Sequence, residues 1–171
     1  MTEMNTYSIG DWVVHTYYGV GQIKAIEVKP YHGEKVKCFK AKTKDSTFWF
    51  PTDKDGNPRI RPISSEDLIN KAIRSLRRKP SNLDKDKKFW KKKIRKVKAD
   101  GDMIDVCKLV RDLTAQSTQR NLVQSEEKAL TLLKERLLKE WSVIVGSKVD
   151  DVRPELQTYI SESKAKITPA N

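Results

Sequence analysis

Up to about residue 60 the chain alternates short apolar stretches with turn formers, and beyond Pro62 its apolar positions recur at helical spacing. The segments DWVVHT, GVGQIKAIEV, KVKCFKAKT and STFWFP are rich in Val, Ile, Phe, Trp and Thr, and each predicts a strand. Turns are expected at Tyr18-Gly19, at Pro30-Tyr31-His32-Gly33 and across Asp53 to Pro58. In KVKCFKAKT, Val36 and Cys38, and less regularly Phe39 and Ala41, alternate with lysines, which predicts a strand with one wet face. Four or five such strands in so short a stretch predict a small, strongly bent sheet or barrel.

Past Pro62 the period changes. Ser64-Ser65-Glu66-Asp67 offers a hydroxyl cap and first-turn acids, and Leu68, Ile69, Ala72, Ile73 and Leu76 then share a face until Pro80. A second helix is expected from Asp84 or Asp86 to near Gly101, with Trp90, Ile94 and Val97 on one side. Asp102 caps a third, striped by Val106, Leu109, Val110 and Leu113. Ser125 caps a longer fourth, striped by Leu130, Leu133, Leu137 and Trp141. Pro154 suits the first turn of a fifth, where Leu156, Tyr159 and Ile160 can pack. The pattern predicts an α+β chain: residues 1–62 a small β domain, residues 63–171 an all-helical domain of about five helices.

Charge changes this picture by its location. The 171 residues carry 35 Lys and Arg against 23 Asp and Glu, a formal +12. Residues 74–98 alone hold 13 basic side chains and two acids, a net of +11, so the rest of the chain is close to neutral. A concentrated cationic segment attracts polyanions and gains free energy by releasing their counterions. The bland reading is a solvated helix face, but such faces usually interleave acids with bases, and residues 87–98 contain no acid. Nucleic-acid binding is the reading that the charge pattern favours, with Lys87, Lys88, Lys91, Lys92 and Arg95 as contacts. Phe89 and Trp90 lie inside the run, where an aromatic can stack on bases or wedge beside them. For Trp90 two roles stay open, a wedge or a core anchor with Ile94 and Val97; the spacing favours the core and leaves Phe89 as the freer aromatic.

Other chemistry is sparse. No run approaches the ~18 apolar residues of a membrane span, and the first residues show no basic-then-apolar secretory pattern. Cys38 and Cys107 cannot form a disulfide scaffold or a four-thiolate zinc site, and no metal is expected. Asp53-Lys54-Asp55-Gly56-Asn57 has its glycine too early for a calcium loop and reads as a turn. Gly19-Val20-Gly21 fits a hairpin better than a dinucleotide loop. His15 and His32 are the only histidines, and no nucleophile-base arrangement emerges, so no catalytic residue and no cofactor are assigned.

The order of these pieces resembles the CarD/CdnL family of bacterial RNA polymerase-binding transcription regulators. The resemblance is carried by YSIGDWVVHTYYGVGQIKAIEVK, by TFWFP, by IRPISSEDLINKAIRSL and by ADGDMIDVCKLVRDLTAQSTQRNLVQSEEKALTLLKERLLKE, in that order over roughly residues 7–145. It implies a Tudor-like N-terminal module that docks on the RNA polymerase β subunit, using Lys29, Tyr31 and Trp49. Trp49 stands where the family usually has arginine. It also implies a helical module that binds the phosphates of double-stranded promoter DNA and wedges a tryptophan into the minor groove, modulating open-complex stability. Counted back from Gly101-Asp102, the wedge position falls near Asp86 or Lys87, and Trp90 stands near the family's tyrosine. The expectation is a non-enzymatic, cytoplasmic, nucleoid-associated regulator for which a monomer suffices. A free-standing architectural or gene-specific DNA-binding regulator, acting without polymerase, is the alternative. A basic protein associated with RNA or the ribosome is a third.

Overall fold

The computed structural model describes residues 7–53, 57 and 59–167. The chain divides into two compact units, Met1–Ile63 and Ser64–Asn171, each with a core of its own.

The first unit is a five-stranded antiparallel sheet of β1 (Trp12–His15), β2 (Gly19–Tyr31), β3 (Glu34–Lys42), β4 (Thr47–Pro51) and β5 (Ile60–Pro62). Its order is β4-β3-β2-β1-β5, so it ends in two edges and remains open instead of closing into a barrel. The long β2–β3 hairpin turns on only His32 and Gly33, at φ 50° and 84°. Two successive positive φ values match the right-handed twist of the flanking strands. Pro30 and Tyr31, expected in the turn, therefore continue β2. The turn expected across Asp53 to Pro58 involves Lys54, Asp55, Gly56 and Pro58, which lie outside the described residues.

The β2–β3 register carries a bulge. Ile23 pairs with Ala41 and Ala25 with Lys40, so Lys24 is an extra residue. The core lies on the face of Val13, Ile23, Phe39, Ala41, Phe48 and Phe50, against which Tyr7 sets its ring edge-on to Phe50 at 5.7 Å. Gly21 permits the coiling, because a Cβ there would meet the Phe48 ring at 3.1 Å and the Lys42 carbonyl oxygen at 3.2 Å. The expected inward set of β3 needs correction. Phe39 and Ala41 face this core, whereas Cys38, though buried, alternates to the opposite side with Val36 and Lys40.

The second unit packs α1 (Glu66–Leu76), α2 (Lys87–Asp100), α3 (Met103–Gln116), α4 (Gln124–Val145) and α5 (Val149–Lys164) about one apolar core. The caps of the first three fall where the sequence places them. The Ser65 hydroxyl accepts from Leu68 N at 3.2 Å, and the Asp86 carboxylate accepts from Phe89 N at 2.8 Å. Asp102 and Asp105 accept from each other's backbone N–H in a reciprocal box, at 2.9 and 3.3 Å respectively.

The last two helices start earlier than expected. Ser125 is not the cap of α4: the helix begins after Val123, whose N–H donates to the Glu126 carboxylate at 2.9 Å. Pro154 is not in the first turn of α5, since the helix starts at Val149 and the proline lies inside it. Lys148 N donates to Asp151 at 3.3 Å to form that start. Helix α3 is central and buried well beyond its apolar stripe. Its Arg111 and Asp112 are buried, form an ion pair at 2.7 Å, and hold the Ser75 carbonyl and Ser81 through hydrogen bonds. Two polar residues adjacent in sequence thereby satisfy one another and the end of α1 within the core.

Candidate functional site

Helix α2 divides cleanly. Trp90 is 1% exposed, Val97 is buried and Ile94 is half-buried against the same core. This settles the two roles open for Trp90: it anchors the helix, and its ring is not presented as a wedge. Phe89, read as the freer aromatic, also packs against the core, edge-on to Trp90 at 5.3 Å with Lys85 Nζ 5.9 Å from its ring centre.

The remaining circumference is cationic. Lys87, Lys88, Lys91, Lys92 and Arg95 are all exposed. At ~100° per residue they fall within roughly 140° of arc, turned away from Trp90 and Val97. Among the described residues none of them enters an ion pair. Of the acids near the start of the helix, Asp86 is engaged as its cap. Like charges at this density repel along a helix, so the array is held by the apolar anchor, with the Glu126 carboxylate acting on Lys87 at its start. Gly101 ends the helix, and there a Cβ would lie 2.7 Å from the Val97 carbonyl oxygen.

A second charged cluster lies on the outer face of the sheet. Because Trp49 pairs with Lys40 and Glu27 with Cys38, the side chains of Glu27, Lys29, Lys40 and Trp49 point to one side. The Glu27 carboxylate accepts from Trp49 Nε1 at 3.0 Å and lies 3.2 Å from Lys40 Nζ and 3.5 Å from Lys29 Nζ. Lys29 Nζ also sits 4.8 Å from the Trp49 ring centre, within cation–π range. The Trp49 hydrogen bond first, then that of Lys40, holds the Glu27 carboxyl below the usual carboxylate range, against a small opposing effect of burial. Trp49 thus occupies this face as an aromatic clamped by a carboxylate and two ammonium groups.

The structure brings Lys29 and Trp49 together. Tyr31 shares their face further along β2, with its ring edge-on to His32 at 4.4 Å. Glu27 and Lys40, which organise the cluster, were not singled out from the sequence. Their only signal is the strand alternation, whose phase depends on the bulge at Lys24. The described residues contain no group of side chains fit to hold a metal ion. The Cys107 thiol is pushed up to about 12 by burial and so stays protonated near neutral pH. No helix among the described residues is long and apolar enough to cross a membrane.

Comparison with known proteins places both units. Residues 7–64 match the family model for the CarD-like/TRCF RID domain, and residues 71–157 match that for the CarD C-terminal domain. The chain is also 29% identical over 147 residues to "Putative transcription factor YdeB" of Bacillus subtilis (strain 168), covering 82% of this chain and 93% of that protein. With the two family domains succeeding one another along most of its length, the chain belongs to the CarD/CdnL family of transcription regulators.

Proposed function

We propose that the chain docks on the β subunit of RNA polymerase through its N-terminal unit and contacts double-stranded promoter DNA through α2, altering the lifetime of the open complex. The observation that carries this reading is the unpaired cationic arc of α2, fixed to a core on its other side. An array of that kind gains by replacing the counterions of a phosphate backbone. Docking is assigned to Lys29, Tyr31 and Trp49 on the outer sheet face, where Trp49 supplies contact area in place of a paired guanidinium. Duplex contact is assigned to Lys87, Lys88, Lys91, Lys92 and Arg95, with charge as the means and no aromatic wedge. A tether with two sites stabilises whichever polymerase state brings both within reach.

The docking half is tested by retention of purified β subunit on the immobilised full chain, compared with Trp49→Ala and Lys29→Glu. Retention by the unaltered chain that both substitutions reduce supports it. No retention at all would leave a regulator that acts on free duplex without polymerase.

A further inference from the structure

We propose that Glu140 is a positioning residue that shortens the link between the sheet and the helices by gripping the chain at Ser64. The Ser64 N–H and hydroxyl both donate to Glu140 Oε2, at 2.8 and 2.5 Å. Both residues are buried and both belong to the helical unit, although 76 positions separate them in sequence. Glu140 lies in α4, on the side turned to α3, where its charge adds to burial in pushing the Cys107 thiol up. The grip on Ser64 therefore comes from the middle of the helical core. A hydrocarbon at position 140 would fill the same space without the cost of desolvating a charge. What the carboxylate adds is direction, because a hydrogen bond fixes an angle as well as a distance.

The place of Ser64 in the chain gives this grip its consequence. Strand β5 ends at Pro62, which pairs with Val13. Helix α1 starts at Glu66, and its cap Ser65 is already tied by accepting from Ile69 N and Leu68 N. Cap and strand alone would leave two residues between the units, Ile63 and Ser64. The bonds to Glu140 leave Ile63 only. A link of one residue, next to a proline whose ring fixes one of its dihedrals, allows the two units little independent turning. The effective concentration of one tethered site at the other falls as the link between them lengthens.

That consequence rests on the proposed tether, whereas the grip itself is tested without polymerase. Nitrogen-15 relaxation of the full chain should give one common rotational correlation time for the amides of the sheet and of the helices. Glu140→Met, of similar size but without an acceptor, should split it, with the shorter time on the sheet. Should that variant not fold, Ser64→Ala removes one of the two donors and should split it less. The grip is overturned if the unaltered chain already shows two times, or if the folded variants keep one. For the tether, inserting Gly-Ser between Ile63 and Ser64 lengthens the link to three residues and leaves Glu140 and every assigned contact unaltered. The protein concentration for half the maximal effect on open-complex lifetime should then rise about fivefold, as the −3/2 power of link length. An unchanged concentration would overturn the role of the link. No effect of the unaltered chain on that lifetime would count against the tether, and the relaxation result would still decide the grip.

Discussion

Glu27 is a surface carboxylate that holds three side chains from three strands, so its titration reports on the whole outer patch of the sheet. Its folded-state pKa is depressed, so its contribution is present above the unfolded pKa and fades as pH falls through the folded value. A carbon-13 titration should place Glu27 below an ordinary glutamate, and Trp49→Phe, which removes the indole donor, should move it back up. An unmoved titration in that variant would show that the lysines alone depress it. Glu126 follows the same sign, held low chiefly by Arg120 with burial opposing. Trp90 belongs to the opposite kind of residue, buried and apolar in role. Trp90→Ala should cost about 3–5 kcal/mol in chemical denaturation, a loss that a solvent-facing wedge would not produce. The core place of Trp90 was legible because Ile94 and Val97 repeat at helical spacing. The Glu27 cluster was not, because cross-strand neighbours depend on a register that local pattern does not encode.

Helix α2 has competing demands on its two faces. Its apolar side is small, with Trp90 and Val97 buried, while its cations repel one another and its first turn holds no acid. Alanine at Lys88, Lys91 and Lys92 together should therefore raise the thermal midpoint at low salt and lower duplex affinity in the same protein. The slope of log affinity against log salt should fall by about 2–3, near 0.9 for each phosphate no longer neutralised. An unchanged slope would reduce the array to a solvated face. The limits of α2 were readable from Asp86 and Gly101, because a carboxylate cap and a glycine stop are local chemistry. The starts of α4 and α5 were not, since Val123 and Lys148 offer no capping oxygen and the acid three residues later closes each helix from inside. Pro154 misled for a similar reason, lying inside a helix whose start is set by Asp151.

At the scale of the whole molecule, the proposed tether predicts strong coupling between its two ends. Trp49→Ala alone and the triple alanine variant of α2 alone should each remove most of the effect on open-complex lifetime, and combining them should add little. Additive effects would mean that the two units act separately. The α+β division was legible from the change of period near Pro62, which needs no tertiary information. The openness of the sheet was not, because closure depends on whether β4 and β5 meet. The bulge at Lys24 has a further consequence for how this chain can change length. Since Ile23 and Ala25 already pair with the adjacent residues Ala41 and Lys40, excising Lys24 leaves every later rung of the hairpin in place. Excising Val28 instead consumes that spare residue and turns Glu27 to the side of Phe39, away from Trp49. Two single-residue deletions four positions apart should thus differ sharply, one preserving the outer patch and one dismantling it. Lineages that shorten this strand are expected to do so at position 24.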